Sequence, residues 1–368
     1  MKSFEYGDSE VGRREVLAGV ANMVIGFGVL TLPRTVVNIT HSIDGWISIS
    51  LGGLSVIFFA WVLAKLISRF PKKNLHEFTS LIINKPVATI LTFLFASYTM
   101  LFVCYEMRIV ADISKLYLFD RTPVEVICFV FFLVTIYAVS GPSTAILRLN
   151  LLFLPIILFI IVFLIVMNVG FFEFKTTKPF FQTGWSEILR GSKETLFSFL
   201  GFETLLFYNA FINEPKNTVK FTIMGMSIPV FLYLLVFVFV VGVFGTEVVE
   251  NTLYPTAELA KRVEIPGGFF ERFESVFFTI WVVTLFSTAS MSFDVTLLAF
   301  GSIFKKIKRM TFIFILSPLI YIIAMSPQNF AETSIFGEWI GYLGIGFSMF
   351  MPLLLLVIAM MRGVKGNG

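Results

Sequence analysis

An all-α integral membrane fold with about ten transmembrane helices is predicted by three observations. The 368 residues are 57% hydrophobic and only 14% charged, whereas soluble domains carry about 25% charged residues. The mean hydropathy is +0.88. The apolar residues fall in repeated blocks, each long enough to cross a hydrocarbon layer about 30 Å thick. Phe, at 46 residues, suits helices that meet one another through aromatic packing.

In chain order, the runs bounded by charges, Pro and Gly are 15–37, 45–68, 87–112, 124–140, 148–169, 193–212, 221–244, 270–300, 311–325 and 337–361. Residues 1–14 form a polar tail in which Arg13 and Arg14 read as a basic cytoplasmic flank rather than a twin-arginine export signal. No small-residue cleavage pattern ends the first apolar run. The run 270–300 is too long for a perpendicular crossing and is expected to tilt, kink or start outside the hydrocarbon. Lys and Arg concentrate in alternate connections, most clearly at Arg69, Lys72 and Lys73 and at Lys305, Lys306, Lys308 and Arg309. By the positive-inside rule both termini are expected in the cytoplasm. The largest outside connections, 170–192 and 245–269, are too short for a folded soluble domain. Function is therefore expected within the helices.

Several function classes are disfavoured. The net charge of +4 is explained by topology rather than by a nucleic-acid partner. Cys104 and Cys128 lie inside apolar runs and His41 and His76 in separate connections, so neither a zinc site nor a disulfide framework can be drawn. With no His-Glu metal motif and no Gly-x-Ser-x-Gly elbow, no enzyme activity and no cofactor are expected.

The first run contains Gly26-Phe27-Gly28 in its middle and Pro33-Arg34 near its end; the sixth contains Gly201-Phe202-Glu203 at similar depth. Glycine and proline weaken helix continuity where lipid offers no alternative hydrogen bonds. These two runs open the two halves of the chain, 15–169 and 193–361. Interrupted helices at corresponding positions point to a small-ligand site near the midplane, and Gly26, Phe27, Gly28, Gly201, Phe202 and Glu203 are its candidate residues. The competing reading is that the glycines only permit close helix packing. The whole segment from Gly26 to Gly28 is expected to be non-helical, and Glu203 to face a cavity between the two runs. In the third run the four-residue spacing of Arg108 and Asp112 allows a pair, while Glu106 points elsewhere and needs a partner from another helix. Glu271, Arg272 and Glu274 open the eighth run, where acidic groups favour a helix N-terminus. All six of these are read as gating or structural charges, and Asp294 as a weaker candidate.

The same residues resemble the spore germination permease family, the B subunits of nutrient germinant receptors in endospore-forming bacteria. The likeness runs almost end to end: Gly26 through Arg34, Gly45-Trp46, Glu106 with Arg108, Arg121-Thr122-Pro123, Gly201-Phe202-Glu203, Pro266-Gly267, Phe270 through Glu274, and Gly341-Tyr342. Two positions depart from the pattern: Phe27 stands where a small residue is expected, and Tyr254-Pro255-Thr256 where Trp-Pro-Thr is frequent. A Phe beside the interrupted segment would reshape a ligand pocket. The resemblance implies a LeuT-like fold of the amino acid, polyamine and organocation transporter type, with two inverted five-helix repeats. It also implies a small nutrient ligand, expected to be an amino acid, in the spore inner membrane. The implied partners are a receptor A subunit and a C-subunit lipoprotein. The alternative is a secondary amino acid transporter using the same site.

Overall fold

The structure, a computed structural model, describes residues 10–263 and 273–366 and is helical almost throughout. The first span is two helices, α1 (Arg13–Ile25) and α2 (Gly28–Thr40), meeting at 49° across Gly26 and Phe27. α3 (Gly45–Arg69) leads to the short α4 (Leu75–Ile82), which opens on a reciprocal cap between Asn74 and Glu77. α5 (Lys85–Tyr117) begins with Asn84 accepting from the Val87 amide and with proline in its first turn, where no helical donor is lost. α6 (Val124–Ser140) and α7 (Ser143–Asn168) complete the first half.

The second half starts with α8 (Trp185–Ser198), a break at 199–201, a 3-10 turn (Phe202–Thr204) and the single turn α9 (Leu205–Tyr208). α10 (Thr218–Phe244) is followed by two short connecting helices, α11 (Thr246–Asn251) and α12 (Pro255–Lys261), which pack on α2. α13 (Phe273–Ile303), α14 (Arg309–Ala324), α15 (Phe330–Ile345), a π-helical turn (Gly346–Phe350) and α16 (Met351–Met361) end the chain.

Among the described residues, six helical segments are long and apolar enough to cross a membrane, the bent α1–α2 pair makes a seventh, and α6 and α14 are shorter apolar helices. These segments follow the expected order, except that the expected sixth span is not among them because it is broken at 199–201. Several boundaries move outward, three of them in ways that matter for the cavity and α5. The sixth run begins at Trp185 rather than 193, the tenth at Phe330 rather than 337, and the third continues to Tyr117 rather than 112. The added turns carry Glu187, Arg190, Glu332 and Lys115, whose charge ends a run of hydropathy without ending a helix. The core is built by α5 lying along α13, by α1 between α7 and α10, and by α3 against α10 and α8.

The first and last described residues sit at one end of the bundle. Val11 forms a short parallel bridge with Ile212, and the Gly366 amide donates to the Arg69 carbonyl at 3.0 Å. The buried Asp294 of α13 pairs with Arg309 and accepts from the Ser143 hydroxyl at 2.9 Å, which joins α13, α14 and α7. Asn209 donates to the carbonyls of Phe70 and Lys73, both at 2.8 Å, and so fixes the second interrupted segment to the end of α3. At the opposite end the connection before α8 is held by one carboxylate. Asp44 accepts from the amides of Phe181 (2.7 Å), Gln182 (2.8 Å) and Thr183 (3.1 Å). Burial alone would raise the Asp44 pKa, but these amides outweigh it and hold the carboxyl below its ordinary value.

Candidate functional site

The first helix break is confined to Gly26 and Phe27. Gly26 has φ −14° and ψ −121°, outside the helical region, whereas Phe27 is already helical in conformation and Gly28 is the first residue of α2. The expectation that Gly28 is non-helical is thus corrected: the Leu30 amide reaches back to the Phe27 carbonyl at 3.1 Å, restarting the helix one residue early. The carbonyls at the end of α1 are not left bare. The Tyr233 hydroxyl of α10 donates to Val24 at 2.7 Å and stands 3.4 Å from the Ile25 carbonyl and 3.3 Å from that of Ser198. One phenol therefore ties together the ends of both interrupted helices. Gly28 is needed beside it, because a Cβ there would stand 2.5 Å from the Tyr233 hydroxyl oxygen.

A cavity of about 280 Å³ opens at this break. Gly26, Phe27 and Gly28 form one wall, Phe102, Tyr105 and Glu106 of α5 a second, and Phe197 and Ser198 of α8 a third. Gly337 and Gly341 of α15 close the fourth, with the exposed Ser334 and Glu338 at the rim. Phe27 stands edge-on to both Tyr105 and Tyr254, with ring centroids 6.1 Å apart in each case. The residue that departs from the family pattern is thereby wedged between two tyrosines at the cavity wall. Glu106 is 2% exposed. Its Oε2 accepts from the Thr288 hydroxyl of α13 at 2.5 Å, and its Oε1 lies 3.7 Å from where a Cβ on Gly26 would stand. The partner from another helix that its spacing required is Thr288. The free oxygen faces the break.

The second break is built differently. Gly201 has φ +121°, a conformation side chains avoid, and a Cβ there would meet Met23 Cγ at 2.6 Å. Glu203 is 1% exposed and turns back on its own break: Oε2 accepts from the Gly201 amide at 2.9 Å, and Oε1 from the Tyr98 hydroxyl of α5 at 2.6 Å. Phe347, in the π-helical turn, stacks on Tyr98 at 5.4 Å. Gly201, Phe202 and Glu203 do not line the cavity at the first break. The expectation that Glu203 faces a cavity between the two spans is therefore corrected, because both of its oxygens are taken by donors at its own break.

Arg108 and Asp112 pair at 3.0 Å, on a face of α5 different from that of Glu106. Glu274 lies in the first turn of α13, away from the cavity lining; Glu271 and Arg272 lie outside the described residues. The residues that sequence reading missed are Tyr233, Glu194 and Glu338. Tyr233 could have been found as a lone phenol inside the apolar run 221–244. The two glutamates were hidden because they stand next to predicted span ends, where a charge needs no explanation.

Comparison with known proteins agrees with this geometry. The sequence model of a family described as "Spore germination protein" matches residues 11–333. The chain is 39% identical to spore germination protein GerLB of Bacillus cereus, over 100% of this chain and 99% of that one. It is 32% identical to spore germination protein YndE of Bacillus subtilis, over 93% and 94% of the two chains. Among solved structures, MhsT in complex with L-phenylalanine superposes with a TM-score of 0.63 at 14% identity, covering 96% of this chain and 99% of that one. Mhp1, a nucleobase-cation-symport-1 family transporter, gives 0.62 at 12% identity, covering 93% and 77%. These structural likenesses show the fold, the LeuT-like transporter bundle expected from the sequence. The chain is a multi-pass membrane protein that belongs to the spore germination permease family, which is not a family of enzymes.

Proposed function

We propose that this chain is the B subunit of a spore nutrient germinant receptor, which binds a small nutrient at the first helix break and signals without chemical change. The observation that carries the reading is the cavity at Gly26 and Phe27 with one oxygen of the buried Glu106 turned towards it. Helix α2 begins there, and the first amides of a helix have no partner within it. An amino acid could place its carboxylate on those amides and its ammonium near Glu106. Binding signals only if it favours one of two conformations. The parts that would move are the two broken helices joined by Tyr233, and the change would pass to an A subunit and a C-subunit lipoprotein. In this reading the protein lies in the spore inner membrane with both termini cytoplasmic, the cavity opens outward, and the halves 15–169 and 193–361 are inverted repeats.

A second reading, secondary transport, is favoured by the seal at the end that carries the first and last described residues, where the Arg309–Asp294 pair and Asn209 close the bundle beneath an open cavity. Alternating access would break that seal. Germination of a deletion strain against a panel of amino acids, sugars and salts tests the receptor reading: loss of the response to one nutrient is expected, and an unaltered response to all would overturn it. Saturable uptake of labelled amino acid by proteoliposomes containing this chain alone would favour transport instead.

A further inference from the structure

The charges of the cavity do not balance. Among the described residues that line it, Glu106, Glu194 and Glu338 are acidic and Arg34 is the basic one. Arg34, whose Nε donates to the Glu250 carbonyl at 3.2 Å, offsets one of the three carboxylates and leaves the acidic groups in excess. Neither Glu194 nor Glu338 forms an ion pair among the described residues, and Oε1 of Glu106 is open to the cavity while Thr288 holds Oε2. A cleft with low-dielectric walls in which one sign of charge is in excess focuses its field and concentrates ligands of the opposite sign. The apolar part of the lining includes five aromatic rings, Phe27, Phe102, Tyr105, Phe197 and Phe330, and aromatic faces attract alkylammonium groups.

We infer that the ligand of this cavity is a small amine of net positive charge, in the class that includes basic amino acids and short diamines. One ammonium group meets Oε1 of Glu106 at the floor, and the second cationic group points towards Glu194 and Glu338 at the mouth. A neutral zwitterion satisfies the floor but leaves the excess acidic charge of Glu194 and Glu338 over Arg34 uncompensated. The cavity of about 280 Å³ accommodates a chain of several carbons between the two ends. This inference rests on the cavity being the nutrient site.

The test uses the full chain in lipid nanodiscs and equilibrium binding of lysine, arginine, ornithine and putrescine. The neutral comparison is 2-aminoheptanoic acid, which has lysine's skeleton with a methyl group in place of the side-chain ammonium. At least one cationic ligand is expected to bind about tenfold or more tightly than the neutral analogue. In the Glu194→Gln, Glu338→Gln double variant that ratio is expected to fall towards one; either single variant serves if the double one does not fold. A neutral amino acid that binds as tightly as the cationic ligands, or no binding by any cationic ligand, overturns the inference. Gly28→Leu separates the two failures. If neutral ligands bind and that variant removes them, the cavity is the site but its ligand is not cationic. If binding survives the substitution, the site itself is wrongly placed.

Discussion

The two helix breaks use the same local device for opposite ends. Each places a glycine where a helix stops inside a bundle that offers its backbone no water, and each has a buried carboxylate nearby. At the second break the carboxylate belongs to the break. Glu203 takes the Gly201 amide and the Tyr98 hydroxyl, and a π-helical turn packs Phe347 against that tyrosine. At the first break the carboxylate comes from α5, commits one oxygen to Thr288 and leaves the other facing a cavity. On the proposed reading, a break whose polar groups are satisfied internally is a joint, and a break with acceptors left open is a place to bind. Tyr233 couples the two, since its hydroxyl reaches the carbonyls of Val24 and Ser198.

The strongest way to break this comparison is to fill each glycine. In Gly28→Leu the new side chain collides with the Tyr233 hydroxyl oxygen at 2.5 Å and with Ser198 at 2.9 Å, inside the cavity wall. Loss of nutrient response, read as spore germination, is expected, together with some loss of folded protein, because the Ser198 carbonyl is backbone and cannot turn aside. In Gly201→Ala the residue must hold φ +121° with Met23 Cγ at 2.6 Å, so a fall in folded protein is expected, read by membrane abundance and thermal unfolding. The joint reading fails if Gly201→Ala folds normally and only its response is lost.

Exchange of the carboxylates separates the breaks next. Glu106→Gln is expected to weaken nutrient binding about tenfold or more with little change in unfolding temperature, because an ammonium loses its charged partner. Glu203→Gln replaces an acceptor of two hydrogen bonds by a group with a donor facing donors, and is expected to cost about 1–3 kcal/mol of stability. Calorimetric unfolding and ligand titration on both variants decide the matter, and a reversed pattern would exchange the roles assigned to the two breaks.

Much of this was legible in the sequence, and the limits have physical causes. The apolar blocks and the two glycine-bearing motifs mark the spans and both breaks, since lipid makes hydropathy and helix interruption strong signals. The i, i+4 spacing of Arg108 and Asp112 anticipates their pair, and the two-residue offset of Glu106 anticipates a partner elsewhere. Which break stays open was not legible. Glu203 lies deeper in its predicted span than Glu194 and so looked like a ligand contact, but the direction of its side chain depends on Tyr98, 105 positions away. Glu194 and Glu338 are each the second residue of a predicted span, 193–212 and 337–361, where a charge reads as interfacial, yet α8 and α15 begin earlier and carry both residues alongside the cavity.

A third contrast lies within α5, where Glu106 serves the cavity and the neighbouring Arg108–Asp112 pair does not. The side chains of Arg108 and Asp112 are 10% and 19% exposed, so removing one leaves a largely buried charge without its partner. Arg108→Ala is expected to destabilise by about 1–3 kcal/mol, below the range for a fully buried pair. An Arg108→Leu, Asp112→Leu double variant should recover part of that loss. Normal unfolding of Arg108→Ala together with a lost nutrient response would make the pair a gate.

The smallest expected effect is at the far end of the bundle, where Asp44 holds the connection before α8 through three backbone amides. Its carboxyl titrates below the ordinary value of 3.8, because the amides outweigh the effect of burial. The sign follows from linkage: a depressed carboxyl pKa contributes stability that is fully present above about 3.8 and is lost as pH falls through the folded-state value. The connection should therefore stay anchored through the neutral and mildly acidic range and loosen only in stronger acid. Asp44→Asn should loosen it at every pH, since a neutral amide oxygen is a weaker acceptor for Phe181, Gln182 and Thr183. Because the anchor holds a connection rather than a span, the change is local: faster hydrogen exchange at residues 181–183, with global unfolding little altered. Exchange at those amides that is unchanged in Asp44→Asn would mean that packing, not the carboxylate, holds the connection against the outer ends of α2 and α3.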